Sequence, residues 1–313
     1  MVDQIPRGAA AMLAKRERRM HHYLWHSTRN SWLRYDNVTR DTLRALGWEP
    51  PRPAFDGNGN AIIDNHSGED FLFMHRKMIA AMDAKLAQIT DQSYPRVMGW
   101  QSIPKPGDQD YPVPPAYGAG RLGQVTTLLK SDQFFRDNFE PAEQRLTNSQ
   151  VLATMTLGEL GASLEHEIHN WMHMRWSSEP ARFRPNSPPD TPESIDPAFD
   201  AVSYDWLGDT YSSHVHSVFW KLHGWIDDRI TDWKRAHNIT GPIKWKGNWV
   251  GPMPEHPSPD TLHALMTSDP EMRDPDGPHG RGDHDHIAAM EQAIRSIAKC
   301  GVHFHFYDEI AVA

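Results

Sequence analysis

The sequence predicts a mainly α-helical fold: a single domain built as a four-helix bundle, wrapped by long loops and carrying minor β structure. Long stretches repeat apolar residues at helical spacing, and the segments between them are too rich in proline and glycine for regular structure. The chain has 313 residues, enough to bury one large core. We therefore expect residues 1–313 to form one domain.

Two helical regions are predicted before residue 90. Residues 11–47 favour helix throughout. From Phe71 to Ile89 apolar side chains recur every three or four residues, which is typical of an amphipathic helix. His75 falls within this stripe, so we expect it to point inward.

A third predicted helix, Leu157 to Trp176, has a recognisable beginning. Thr156 followed by Glu159 three residues later forms a capping box. The remaining predicted elements are a helix over Tyr211–His237, a helix over 285–300 that stops at Gly301, and a short strand over 302–312.

Two long segments have the amino-acid composition of loops. Residues 177–208 are rich in proline, aspartate and serine, and residues 241–283 are rich in proline, aspartate, glycine and histidine. Both are long enough to cover a bundle, and we expect them to help set any substrate preference.

Composition excludes several classes of protein. The net charge of −9, without a basic stripe, argues against a nucleic-acid partner. No stretch approaches the length of a membrane span, and no apolar leader precedes the N-terminal charged run, so we expect a soluble, cytoplasmic protein without membrane contact. The single cysteine, Cys300, excludes a disulfide framework and cysteine-rich metal sites. A metal would have to be held by histidine and carboxylate.

Histidine is unusually abundant, with 19 copies. Two pairs, His22/His26 and His169/His173, have the spacing that places both imidazoles on one helix face. Such pairs arise by chance in a chain this rich in histidine. The second pair stands out because Glu165 lies one turn before His169.

The segment HSGEDFLFMHR resembles the first copper motif of the type 3 copper proteins, the family of tyrosinases, catechol oxidases and haemocyanins. His66 and His75 are nine residues apart, as in that motif, and Arg76 stands in the expected place. The family's first ligand often follows an aromatic residue on a helix. YLWH makes His26 the best candidate for it, with His22 one turn earlier as the alternative.

The second copper motif of the family is matched by HNWMH and then HSVFWKLHGWID. The resemblance assigns His169, His173 and His223 as ligands. It also assigns Phe219 as the aromatic that shields the site, and Asp227 as the partner that orients His223. The chain departs from the family where Leu222 replaces the first histidine of a His-His pair, and where His216-Ser217 replace Asp-Pro.

The resemblance implies two copper ions per chain and a reaction with dioxygen. The expected substrate is a small o-diphenol or o-aminophenol, with ortho-hydroxylation of monophenols as a further option, and a copper chaperone is a possible partner. Glu165 and Asn170 match the pair that orders a basic water in the family, and Met174 matches a position that can approach the substrate ring.

Two other classes of function remain open at this stage. Reversible oxygen carriage would use the same histidines, but the carriers of this family are large, extracellular assemblies. A zinc or iron hydrolase would need carboxylate ligands at ligand spacing, and we find none. An HExxH zinc motif is excluded because His166, Glu167 and His169 form HExH instead.

Overall fold

The computed structural model describes residues 4–89, 91–185, 195–253 and 283–310. The structure is mainly helical, with 59% helix and about 1% strand, which confirms the predicted α class. The described parts of the two long loops are irregular apart from a 3₁₀ turn (Pro197–Asp200), and their segments 186–194 and 254–282 lie outside the described residues.

The N-terminal helical region is divided rather than continuous. Residues 11–47 were expected to be helical throughout, but the chain turns at Lys15 and again at Tyr35. Asp36 then starts a new helix, because its side chain accepts a hydrogen bond from the amide of Thr39. The elements are α1 (Arg7–Leu13), α2 (Arg16–Ser31), a 3₁₀ turn (Trp32–Arg34) and α3 (Asn37–Ala45).

The second predicted helix is confirmed and begins four residues earlier than expected, as α4 (Ser67–Ile89). Several shorter helices follow it. They are α5 (Gly120–Leu129), α6 (Asp132–Phe134), a π-helical turn (Phe135–Phe139), α7 (Glu140–Thr147) and α8 (Ser149–Leu152).

The helix predicted over Leu157–Trp176 is also confirmed, with an irregularity in its middle. Its capping box is present, since Thr156 and Glu159 exchange side-chain and backbone hydrogen bonds. A π-helical segment interrupts it, and π-helical turns often occur at functional sites. The parts are α9 (Leu157–Ser163), the π-helical segment (Leu164–His169) and α10 (Asn170–Trp176).

The last two helices are α11 (Ser217–Ala236), shorter than the predicted Tyr211–His237, and α12 (Asp283–Cys300). Gly301 follows with φ of +72°, which suits a residue without a side chain and ends α12 as predicted. The predicted strand after it is wrong. Phe304 and Phe306 alternate with polar residues and are buried, but residues 306–309 form a 3₁₀ turn without a paired strand in the described chain.

Close approach of two helices holds the middle of the molecule together. A Cβ atom at Gly68 of α4 would lie 2.2 Å from the carbonyl oxygen of Gly158, and one at Gly161 of α9 would lie 2.0 Å from that of Gly68. Only glycine fits this crossing. None of the helices in the described ranges combines the length and the apolar character that crossing a bilayer requires.

Candidate metal centre

Six buried histidines from four helical stretches converge in the interior. Each is at most 2% exposed. One comes from α4 and one from α11, while α2 and the π-helical segment with α10 supply two each. They are His22, His26, His75, His169, His173 and His223.

The cluster has the form of two groups of three. The ligand-type nitrogens of His22, His26 and His75 all lie within 4.8 Å of one another, and so do those of His75, His169 and His223. His173 extends the second group, with its ring centroid 4.5 Å from that of His169. His75 belongs to both groups and lies 4.4 Å from His223 between ring centroids, so the two groups overlap at His75.

Five of these imidazoles are held in the same tautomer. In each, Nδ1 lies beside an oxygen that only accepts hydrogen bonds, so Nδ1 must carry the ring proton. The acceptors and distances are Thr210 O for His22 (2.6 Å), Phe71 O for His75 (2.9 Å), Asn170 Oδ1 for His169 (3.0 Å), Leu207 O for His173 (2.8 Å) and Phe219 O for His223 (2.9 Å).

The opposite nitrogen of each of these rings is an acceptor without a hydrogen. The Nε2 atoms of all six histidines are buried and have no hydrogen-bond partner among the described residues, and for His26 the same holds for Nδ1. A buried polar atom left unpaired costs about 1–3 kcal/mol, so six in one place demand an explanation. Fixed Nδ1 donors with free Nε2 lone pairs are the usual arrangement of metal-binding histidines, and the residues therefore fit a metal ion.

Burial also keeps these rings neutral. Desolvation lowers the pKa of His22 to about 4 and that of His173 to about 3. Burial, and then repulsion from neighbouring histidines, lowers the pKa of His26, His169 and His223 well below the usual value. Metals bind neutral imidazole, so the cluster is ready to ligate at neutral pH.

The composition of the cluster narrows the choice of metal. Within the described ranges, both groups able to hold an ion consist of histidine alone. Imidazole suits copper, zinc, iron and nickel, whereas magnesium, calcium and manganese prefer oxygen ligands.

His66, expected as a ligand, is not brought to this cluster. It has φ of +64° immediately before α4 begins, and its side chain is 36% exposed. Its Nδ1 lies 3.1 Å from a carboxylate oxygen of Glu69. His22, which the sequence offers as the alternative to His26, lies in the cluster together with His26. Both histidines of the pair on α2 therefore belong to the cluster.

Asp227 does not orient His223 as expected. Its carboxylate accepts a hydrogen bond from Arg76 at 2.7 Å, and the proton on Nδ1 of His223 goes to the backbone of its own helix. Arg76, which directly follows His75, thus pairs with Asp227, which lies one helical turn after His223. They join α4 to α11 and fix the distance between His75 and His223.

Glu165, expected to order a basic water, is committed to an ion pair. Its two carboxylate oxygens accept hydrogen bonds from Nη1 and Nη2 of Arg29 at 2.6 and 3.0 Å, and both side chains are almost completely buried. Arg29 also donates to the carbonyl of Ser67. The Glu165 carboxylate is therefore paired with the guanidinium of Arg29 in the interior of the protein.

Asn170 sits next to the centre, as expected, but with a different carboxylate. Its Oδ1 accepts the proton of His169, and its amide donates to Glu309 at 2.7 Å. Asn30 donates to the other oxygen of Glu309 at 2.8 Å. Burial raises the pKa of Glu309 to about 8. Sequence reasoning missed this residue, because it interpreted residues 302–312 as a strand with a polar outer face.

Aromatic rings cover the second group of histidines. Phe219, the expected shield, is fully buried and stacks on His223 with 3.7 Å between ring centroids. Phe306, which the sequence did not single out, stacks on His173 at 4.0 Å. Met174, expected near the substrate ring, is fully buried behind this aromatic cover. It packs in a small apolar cluster with Val125, Leu129, Phe304, Phe306 and Ile310.

A scan against protein-family models finds no match for this chain, and a search of the curated proteins finds none either.

Proposed function

We propose that the chain is a copper-dependent oxidase that uses dioxygen to oxidise o-diphenols or o-aminophenols, with its helices forming a four-helix bundle around a dicopper centre. One observation carries the proposal. Six buried imidazoles converge, five of them with Nδ1 fixed as a donor, and all six with Nε2 unpartnered. A donor set of imidazole alone is suited to copper.

His75 belongs to both groups of three, so we assign it to the first ion and give its place at the second ion to His173, whose ring lies beside that of His169. His22, His26 and His75 would bind the first copper, and His169, His173 and His223 the second. When bound, the two ions would relay electrons from the substrate, which is oxidised, to dioxygen, which is reduced. The chain contributes a dry, preorganised site, since the hydrogen bonds at Nδ1 hold each ring in orientation before metal arrives.

The surroundings favour diphenols and aminophenols over monophenols. Hydroxylating a monophenol calls for a base that takes the phenolic proton. The carboxylate of Glu165 is held in a buried ion pair with Arg29, so it is poorly suited to accept the phenolic proton. We therefore propose oxidation of substrates that already carry two ortho heteroatoms.

The test is to load metal-free protein with copper and to follow dioxygen uptake with catechol and with o-aminophenol. We expect turnover with both, and an intense near-ultraviolet absorption band when the reduced copper protein meets dioxygen. His169→Ala should lose both the band and the turnover, while keeping the thermal unfolding profile of a folded protein.

Three results would overturn the proposal. Protein loaded with zinc that hydrolyses esters or phosphates, but forms no band with copper, would indicate a hydrolase. Stoichiometric, reversible binding of dioxygen without turnover of either substrate would indicate a carrier. Binding of fewer than two coppers would contradict a dinuclear centre.

A further inference from the structure

A cavity of about 120 Å³ lies directly beside the first group of histidines. It is lined by residues of α1, α2, α4 and α11, together with His214, Val250 and Met253. His22 lines this cavity and also belongs to the histidine cluster, and Met74 lines it immediately before His75 in the sequence. The cavity and the candidate metal centre therefore share a wall.

Methionine is the most frequent residue type in the lining of this cavity, which also includes the charged residues Glu17, Arg18 and Lys77. Half of its eight apolar lining residues are methionine, although the chain holds only 14 methionines in 313 residues. Met12 and Met74 are buried, while Met78 and Met253 are half-buried. Two buried and two half-buried methionines thus line the same cavity as His22.

Methionine is also a common filler of irregular cores. A methionine that fills a core occupies the gap between its neighbours. Here four methionines instead line a cavity that no side chain fills. Two further imidazoles, His21 and His214, line the same cavity. The ring of His214 lies 5.0 Å from that of His22, whose Nε2 is buried and unpartnered.

We propose that this cavity is an entry site for Cu(I), which the methionine thioethers bind before it passes to His22. The inference rests on the proposed copper function and adds the route by which the first ion is loaded. Soft thioether sulfur prefers Cu(I) to the harder Cu(II). In the transfer a Cu–S bond breaks as a Cu–Nε2 bond forms. Copper stays monovalent and no proton is released, because Nδ1 of His22 carries the proton of the ring.

The experiment compares two triple variants of the metal-free protein. Met12→Leu, Met78→Leu and Met253→Leu together remove three thioethers from the cavity while keeping side-chain volume. Met82→Leu, Met155→Leu and Met290→Leu together change methionines that do not line it. Each protein takes Cu(I) anaerobically from a coloured chelator, and the rate of transfer is measured.

We expect the cavity variant to load Cu(I) about tenfold more slowly or worse, because three of the four soft ligands are gone, and to reach the same final copper content. The control variant should load at the wild-type rate. Loading of Cu(II) should be alike in all three proteins. Equal Cu(I) rates in the cavity variant and the wild type would overturn the proposal.

A second measurement separates this proposal from the proposed function. X-ray absorption of wild-type protein with excess Cu(I) should show sulfur neighbours around part of the copper, and the cavity variant should lose most of them, since it keeps only Met74 of the four methionines. If the histidines bind no copper, the sulfur-ligated ion should still be present. Copper with nitrogen neighbours alone in the wild type would overturn the entry site and leave the histidine centre standing.

Discussion

At the scale of single residues, the ion pair between Arg29 and Glu165 is the most consequential buried charge in the structure. Both side chains are at most 1% exposed, and the contact joins α2 to the π-helical segment. Each partner also lies close in sequence to a histidine of the centre, Arg29 after His26 and Glu165 before His169. The pair therefore sets how these two ligand-bearing stretches approach one another.

We predict that Glu165→Ala lowers the free energy of unfolding by about 3–5 kcal/mol, because it leaves the Arg29 guanidinium buried without a counter-charge. The double variant Arg29→Met with Glu165→Leu should recover most of that loss. Urea denaturation of the metal-free proteins measures both effects. If Glu165→Ala leaves stability unchanged but abolishes oxidation of substrate, the residue is catalytic rather than structural.

Glu309 should make stability depend on pH in an identifiable window. Because burial raises its pKa to about 8, the native carboxyl holds a proton that the unfolded chain releases near pH 4.5. Stability must therefore fall as pH rises between these values, by at most about 1.4 kcal/mol per pH unit. Glu309→Gln cannot titrate, so its free energy of unfolding relative to the wild type should improve steadily from pH 5 to pH 8. Parallel curves for the two proteins would show that Glu309 does not carry a raised pKa.

Residue identities in the centre were predictable where helical spacing decides them. His75, His169, His173 and His223 lie on helical faces whose apolar neighbours indicate the interior. His66 shows where that reasoning fails, since it precedes the first turn of α4 and its backbone has positive φ. The separation of nine residues between His66 and His75 does not specify where the His66 side chain points. In the folded chain His66 lies outside the cluster, and His22 of α2 lies within it.

At the scale of elements, the crossing of α4 and α9 carries the geometry of the centre. Gly68 and Gly161 let the two backbones meet, and this contact fixes His75 on one side and the start of the His169 segment on the other. Helical periodicity predicts each helix separately. It does not predict how closely they cross, because that depends on the absence of a single methyl group.

We predict that Gly161→Ala destabilises the protein by about 3 kcal/mol, at the upper end of overpacking costs, since its methyl group would strike backbone rather than a movable side chain. Copper affinity should fall with it. The matched control is Gly57→Ala, where a Cβ atom meets nothing within 4 Å. Thermal unfolding and copper titration measure the two effects. Equal stability of the two variants would mean that the helices are not held at this distance.

Element boundaries were predicted best where a local hydrogen-bonding motif marks them. The capping box at Thr156 and the glycine after α12 both lie where expected. The predicted strand over 302–312 failed because alternation alone does not supply a partner strand. There Phe304 and Phe306 are buried by stacking on His26 and His173 rather than by pairing in a sheet.

At the scale of the whole molecule, packing neutral histidines together has a cost that depends on pH. The pKa of His22 is lowered to about 4 and that of His173 to about 3, whereas both rings titrate near 6.5 in an unfolded chain. Below pH 6.5 the unfolded state therefore binds more protons than the native state. Stability is complete above that value and is lost as pH falls toward the lowered values.

We predict that the metal-free protein loses about 1.4 kcal/mol per pH unit for each such histidine below pH 6.5. Copper should raise the free energy of unfolding by a similar amount across this range, because the native rings are already neutral and an ion that binds only the folded state stabilises it. Chemical denaturation between pH 7.5 and 5, with and without copper, measures both the slope and the offset. Equal free energies of unfolding with and without copper would show that these histidines do not bind it.

The most direct test of the dicopper centre is the copper content of three proteins loaded under one protocol: wild type, His22→Ala and His66→Ala. The structure predicts two coppers per chain in the wild type and in His66→Ala, because His66 lies outside the cluster. His22→Ala should retain fewer than two, since the first group loses one of its three imidazoles. Two coppers in His22→Ala, with a loss in His66→Ala, would contradict the assignment.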